Sequence, residues 1–300
     1  MNPSEPGKVG QGSSSLIALD RRSGTTRWTR QLAGSGMPTP AIVNGVLVHH
    51  NGAGWVGGFD PATGREKFSQ HLDSVASMSA ILPISSNEFI TTGVGVNAVW
   101  RISATDGAVL WKNTFNAGAS GIGDCPPVTD GTRILCDYVA PVGSDKMTQV
   151  GRPALERVYA VDVPTGAKRW DVALESGTLQ PRNEGAIPLL AAGLLYVGSS
   201  VAPEMHALDA ATGRVVWHLR THGFVKGGAV CVDGVVYFGD YGGYLWAVDA
   251  QTGAVLGTKN MQTRFNVGSP LADGMTLVIG SDSGAVVAVP LQTIRESHDS

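Results

Sequence analysis

The stretch Ala207-Leu208-Asp209-Ala210-Ala211-Thr212-Gly213-Arg214-Val215-Val216-Trp217 decides the fold. It reads as the end of an apolar strand, a turn opened by Asp and closed by Gly, and a returning strand whose aromatic stands four residues after the Gly. Each residue type suits its place: Asp caps a turn with its side chain, Gly takes a left-handed conformation without steric cost, and a large ring fills space between layers. The pattern recurs at Ala18-Leu19-Asp20 with Gly24 and Trp28, at Gly58-Phe59-Asp60 with Gly64 and Phe68, and at Ala160-Val161-Asp162 with Gly166 and Trp170. It recurs again at Ala247-Val248-Asp249 with Gly253, where Gly257 stands at the aromatic position. A degenerate copy carries Ser103, Gly107 and Trp111, and a last one, Ala288-Val289-Pro290, keeps neither Asp nor Gly. Four of the seven tryptophans occupy the one slot, so chance scatter does not explain them.

From Gly to Gly the copies lie 40, 43, 59, 47 and 40 residues apart, the period of a four-stranded propeller blade. Upstream of the motif, Asn44-Gly45, Asp130-Gly131, Asp233-Gly234 and Asp273-Gly274 each separate two apolar runs, a strong short-range hairpin signal. Each unit is therefore expected to run strand A, tight turn, strand B, loop, strand C, the Asp-to-Gly turn, and strand D bearing the aromatic. The reading is an all-β propeller of about seven blades, six as the alternative, with the first and last incomplete.

The repeat Ala-x-Asp-x-x-x-Gly-x-x-x-Trp, complete at 18 to 28, 160 to 170 and 207 to 217, resembles that of the PQQ-like propellers. This family includes the quinoprotein alcohol dehydrogenases and the propeller lipoprotein of the outer-membrane assembly machinery. The resemblance covers nearly the whole chain and implies the scaffold, because the motif residues build blades and do not react. Quinoprotein dehydrogenases would add a disulfide between adjacent cysteines, acidic and amide calcium ligands and a catalytic Asp; this sequence has no Cys-Cys pair. No cofactor is expected, with PQQ and calcium as the alternative the resemblance admits.

Composition agrees with a turn-rich β chain: 40 glycines and 16 prolines among 300 residues, with 16% charged. A net charge of −3 without any basic run argues against nucleic acid or an anionic membrane surface as partner. No apolar run reaches the length of a membrane span, and the first fifteen residues lack the apolar core of a signal peptide. Localisation stays open: cell envelope or secreted if the chain is shortened at its N-terminus, cytoplasmic otherwise. Three cysteines lack metal-ligand spacing. A two-residue turn at Asp130-Gly131 would set Cys125 opposite Cys136 with Cα atoms ~5.5 Å apart, which permits a disulfide, although Pro126 and Pro127 disturb the ladder. His49 and His50 alternate along a strand and would not share a metal, and no metal site is expected.

The expected boundaries are a disordered segment 1–8, one propeller domain 9–294 and a C-terminal tail 295–300. The long 59-residue interval places an insertion, Val139 to Glu156, in a B–C loop. On the face carrying the B–C and D–A loops, Asp124, Arg182, Asn183, Glu184, His222, Lys226, Arg264 and Asn266 are expected near the mouth of the central channel. They are the candidate ligand-binding residues for a protein partner or a small polar ligand. The function expected from the sequence is a non-catalytic binding scaffold working through that face. The alternative is a quinoprotein-like oxidoreductase or another enzyme with its site at the channel mouth; no catalytic residue can be named from the sequence.

Overall fold

The computed structural model describes residues 12–34, 38–75, 79–95, 97–114, 125–143, 150–181 and 185–299. The protein is an all-β propeller, and its described strands form seven antiparallel sheets. They fall in two compact units.

The first unit holds three sheets. One pairs β1 (Ser13–Leu19) with β2 (Thr26–Ala33); the next orders β3 (Ala41–Val43), β4 (Val46–His50), β5 (Trp55–Phe59) and β6 (Glu66–His71) in sequence. The third contains β7 (Ser74–Val75), β8 (Leu82–Pro83), β9 (Glu88–Gly95), β10 (Ala98–Ser103) and β11 (Val109–Thr114), with β7 and β8 both pairing β9.

The second unit holds four sheets. The first is β12 (Val128–Thr129), β13 (Arg133–Pro141), β14 (Pro153–Asp162) and β15 (Lys168–Thr178), and the second β16 (Leu189–Ala191), β17 (Leu194–Gly198), β18 (Glu204–Asp209) and β19 (Val215–Arg220). Then come β20 (Ala229–Val232), β21 (Val235–Gly239), β22 (Tyr244–Asp249) and β23 (Val255–Asn260), and finally β24 (Leu271–Asp273), β25 (Thr276–Gly280) and β26 (Val286–Pro290), followed by helix α1 (Leu291–Arg295). Strand C occurs seven times and the A–B pair six times among the described residues.

The middle strands are buried on both faces, which is why they read as continuous apolar runs. In β21, Val236 and Phe238 enter a cluster with Tyr196, Trp217 and Trp246, while Val235 and Tyr237 enter another with Phe265, Leu277 and Ile279. Successive side chains point to opposite faces of a strand, so one strand serves two cores.

The repeat is explained by one recurring geometry. Every complete C–D pair carries a register shift one residue before the turn, between Ala18 and Leu19, Gly58 and Phe59, Arg101 and Ile102, Ala160 and Val161, Ala207 and Leu208, and Ala247 and Val248. The bulge sets the docking aromatic directly opposite the motif's first residue: Ala18 faces Trp28, Ala160 faces Trp170 and Ala207 faces Trp217. That residue is small because the ring needs its space; a Cβ on Gly58 would stand 2.2 Å from Phe68 Cε1. The ring then rests on the turn Gly of the following sheet. A Cβ at Gly253 would stand 2.7 Å from Trp217 Cδ2, and Gly64, Gly107, Gly166 and Gly213 meet Trp28, Phe68, Trp111 and Trp170 in the same way. The indoles of Trp217 and Trp28 donate to the carbonyls of Ala250 and Pro61, at 2.9 and 3.0 Å.

In the turns themselves, Asp209 Oδ1 accepts from the Ala211 and Thr212 amides and the Thr212 hydroxyl, and Gly213 N–H returns to the Asp209 carbonyl. Asp20, Asp60 and Asp249 repeat this arrangement. Asp162 is in addition paired with Arg169.

Four expectations need correction. Val139 to Glu156 is not a loop throughout, because β13 and β14 stay paired out to Pro141 opposite Ala154. Only the segment between Pro141 and Pro153 connects them, and residues 144–149 lie outside the described residues. The long interval partly reflects β13 and β14, of 9 and 10 residues, where the corresponding β17 and β18 of the following sheet have 5 and 6. Second, residues 295–299 are docked and do not form a free tail. Thr258 N–H donates to Ser297 O at 2.7 Å, Asp299 N–H to Thr258 O at 3.0 Å, and Leu291 and Ile294 of α1 are fully buried. Third, Asp130-Gly131 does not form the two-residue turn that would set Cys125 opposite Cys136, and no disulfide joins them. Thr129 pairs with Ile134, so the hairpin loop has four residues, and Asp130 Oδ1 holds it by accepting the Thr132 and Arg133 amides. Fourth, Asp273 pairs with Thr276, which moves that turn to Gly274-Met275. The Asn44-Gly45 and Asp233-Gly234 turns stand as expected, with positive φ at all four residues. Segment 1–8 lies outside the described residues.

Candidate functional site

Of the eight candidate residues, Asp124, Arg182, Asn183 and Glu184 lie outside the described residues. The other four belong to the second unit, on two D–A connections: His222 and Lys226 between β19 and β20, and Arg264 and Asn266 between β23 and β24. Lys226 and Asn266 come to one cavity. They line a cavity of about 220 Å³ together with Gln180 and Pro181 from the connection after β15, Phe224, and Tyr241 from the β21–β22 connection.

The wall is built to hold these groups still. The Tyr241 amide donates to Phe224 O at 2.8 Å, and the Ile187 amide to Lys226 O at 3.2 Å. Gly227 must lack a side chain, because a Cβ there would stand 2.5 Å from Gly268 O and 2.7 Å from Asn266 O. Lys226 is buried, at 6% exposure, so its ammonium sits in a largely desolvated wall where attraction to an anion is stronger than on an open surface. The Asn266 carboxamide oxygen is buried with no hydrogen-bond partner. Arg264 is exposed; its guanidinium stands 5.0 Å from the Tyr241 ring centre, and Nη1 lies 3.4 Å from the Tyr241 hydroxyl. A second cation is thus stacked on one wall residue.

His222 does not join this group. Its ring stacks on Tyr244 at 4.0 Å and lies 5.3 Å from Trp246, and its amide donates to Asp240 Oδ2 at 3.1 Å. Sequence reasoning missed Gln180, Pro181, Phe224 and Tyr241. Of these only Tyr241 carried a local signal, inside the glycine-rich run Gly239 to Gly243 that hugs the neighbouring loop: a Cβ on Gly242 would lie 2.9 Å from the His222 carbonyl carbon.

The sequence pattern of the family described as outer membrane protein assembly factor BamB matches residues 8–85, 52–149 and 154–296. The chain belongs to this family of PQQ-like propellers. Among BamB-family and related proteins, tetrathionate hydrolase from Acidithiobacillus ferrooxidans is 27% identical over 95% of the chain, and tetrathionate hydrolase from Acidianus ambivalens is 23% identical over 94%. The chain spans 57% and 56% of the length of these two proteins. The crystal structure of BamB from Moraxella catarrhalis superimposes with a TM-score of 0.68 at 18% identity, covering 95% of this chain and 88% of that one. That likeness establishes the BamB-type fold.

PQQ with calcium does not fit the described residues. Calcium wants ~6–8 oxygen ligands, several of them carboxylate. No group of three His, Cys, Asp or Glu comes together among the described residues. Asp240, close to the loop cluster, already accepts the Tyr244 amide on Oδ1 and the Trp246 indole on Oδ2. No helix among the described residues is long and apolar enough to cross a membrane.

Proposed function

We propose that the Lys226 cavity binds a small sulfur oxyanion and that the chain forms part of an enzyme hydrolysing a substrate of the tetrathionate kind. The observation that carries the reading is the buried lysine in the wall of an amide-rich cavity. Tetrathionate is a dianion with sulfonate ends, and a sulfonate needs a cation and N–H donors to leave water. Lys226, the Asn266 and Gln180 carboxamides and the Tyr241 hydroxyl provide that chemistry on one unit. Similarity to two tetrathionate hydrolases over nearly the whole chain supports the choice of anion.

The test is a titration of tetrathionate, followed by calorimetry and by loss of tetrathionate with time. Lys226→Met keeps the buried stem and removes the charge, and it is expected to weaken binding by about tenfold to a hundredfold, the ~1.5–3 kcal/mol typical of a charged hydrogen bond. The control is Thr212→Ala, which removes a 2.8 Å bond within the Asp209 turn and leaves the cavity intact. Equal binding by wild type and Lys226→Met would reject the cavity.

The second reading is a protein-binding propeller without catalysis. It is favoured by the match of the BamB family pattern to residues 8–85, 52–149 and 154–296 and by the fold shared with Moraxella BamB. Tetrathionate that neither binds nor disappears would select it.

A further inference from the structure

Two buried carboxyl groups stand side by side in the second unit, and no ion pair to either is seen among the described residues. Asp137 of β13 and Glu156 of β14 are diagonal neighbours on one face of the pair, since Asp137 faces Val158 and Val139 faces Glu156. They are 2% and 0% exposed. Asp137 Oδ2 accepts the Ala186 amide at 2.7 Å. Glu156 Oε2 accepts three donors: the Ser200 amide at 2.6 Å, the Ser200 hydroxyl at 2.9 Å and the Ser199 hydroxyl at 3.2 Å. The remaining oxygens, Asp137 Oδ1 and Glu156 Oε1, are both buried without a hydrogen-bond partner, on side chains that stand diagonally across one face of the strand pair. Two buried carboxylates so placed repel each other, which favours a proton held on the pair.

The pair is wired to the cavity by two short backbone routes. Ala186 is held by Asp137, and the next amide, Ile187, donates to Lys226 O at 3.2 Å. Ser199 is held by Glu156, and its carbonyl accepts the Val225 amide at 3.1 Å. There is no slack in the second route, because a Cβ on Gly198 would stand 2.1 Å from Val225 O.

The geometry points to Asp137 and Glu156 as a proton-sharing positioning pair: one proton between Asp137 Oδ1 and Glu156 Oε1 keeps the segments bearing Lys226 in place, and its loss loosens them. This rests on the reading of the Lys226 cavity as the ligand site. Burial, then the Glu156 charge, raises the Asp137 carboxyl well above its ordinary range, so Asp137 is the proton holder. Burial also raises Glu156, against the opposing pull of the Ser200 amide.

Among the described residues the other ionisable group at the pair is Cys136, whose buried thiol is pushed up by burial and further by Asp137, and so stays neutral. Arg157, Asp171 and Tyr138 bond to one another, with their side chains on the alternate face of the two strands. Ala186, Ile187, Ser199, Ser200 and Val201 bring no charge.

The sign follows from linkage. A carboxyl that holds its proton more tightly folded than unfolded contributes stability that is complete below its unfolded value, 3.8 for Asp, and is lost as pH rises toward its folded value. The protein is therefore braced in acid and relaxed in alkali. The experiment uses the whole chain, wild type and Asp137→Asn, whose amide keeps an oxygen for Ala186 and offers N–H to Glu156. Melting temperature, amide-exchange protection at Ala186, Ile187 and Val225, and tetrathionate affinity are followed from pH 5 to pH 9.

In wild type, protection at these amides is expected to fall by up to about tenfold per pH unit while the folded pair still holds the proton that the opened state has released, and to level off once the pair loses it. Melting temperature and affinity fall alongside. In Asp137→Asn all three stay flat. A wild-type slope retained in Asp137→Asn, or flat protection in wild type, overturns the pair whether or not tetrathionate binds. Absent binding at pH 5 with the exchange pattern intact rejects the cavity as ligand site and reduces the pair to a brace of the fold, which overturns its positioning role.

Discussion

Trp217→Ala is expected to lower the free energy of unfolding by ~3–5 kcal/mol, the usual cost of removing a large aromatic from a packed site. The ring is 7% exposed, rests on Gly253 and tilts against Tyr196 with centroids 5.9 Å apart. Its loss empties the slot and leaves the Ala250 carbonyl with the Tyr196 hydroxyl alone, at 3.1 Å. Ala250 is itself buried, so the neighbouring turn cannot collapse into the gap without breaking the Asp249 cap. Denaturant titration measures the loss, and a value under about 1 kcal/mol would show that the ring is not a docking element. Trp28→Ala should cost less, because Trp28 is only half-buried and its sheet has two described strands.

Gly257→Ala is expected to release the C-terminus. Gly257 stands where the other repeats carry the ring, and here the seat is taken by backbone: an added Cβ would lie 2.2 Å from Ile294 O and 2.7 Å from Arg295 O. A carbonyl in a helix cannot yield as a side chain can, so α1 must shift as a whole. Undocking it would expose Leu291 and Ile294, both fully buried, at ~1.5–3 kcal/mol each. The measurement is amide exchange at Leu291 to Asp299 together with melting. Unchanged protection of the Ser297 to Asp299 segment, with melting within about 1 °C of wild type, would show that α1 tolerates the methyl group.

Much of this fold is legible from periodicity because the repeat is local. The bulge, the Asp cap and the Gly all act within eleven residues, so each copy announces itself. Where a different local device makes the same shape, the signal vanishes. The turn at Ala192-Gly193 equals those at Asn44-Gly45 and Asp233-Gly234 in geometry, yet Ala192 takes φ +49° without an Asn or Asp side chain to advertise it. Conversely, Asp130-Gly131 advertises a two-residue turn, but the Asp130 carboxylate captures the amides of Thr132 and Arg133 and widens it. The expected length of a B–C insertion failed because strand extension and loop extension look alike to a count of residues.

The candidate site was legible only in part. Lys226 and Asn266 could be placed by blade position alone, since both lie just ahead of an A strand. Which of the loop polars converge depends on the crossing of Tyr241 with Phe224, a contact between residues 17 positions apart that no pattern encodes. Asp137 and Glu156 were hidden for the opposite reason. An acidic residue in a stretch such as Ile134-Leu135-Cys136-Asp137-Tyr138-Val139 is the visible anomaly, but a single sequence does not say that its partner lies across the strand pair.

The one-way seating of rings also governs how the protein can be dissected. Each ring is encoded by one repeat and each seat by the next, so a cut at a repeat boundary strands a ring on one piece and a bare glycine on the other. The first compact unit reflects this: it claims Pro164–Ala167, the four residues that include the seat of Trp111, although the strands on either side of them belong elsewhere. A recombinant fragment ending at Pro126 would therefore carry Trp111 without its seat and should be sticky. Supplying that seat from outside, by fusing a turn with the sequence of residues 162–168, is the natural way to make a well-behaved half.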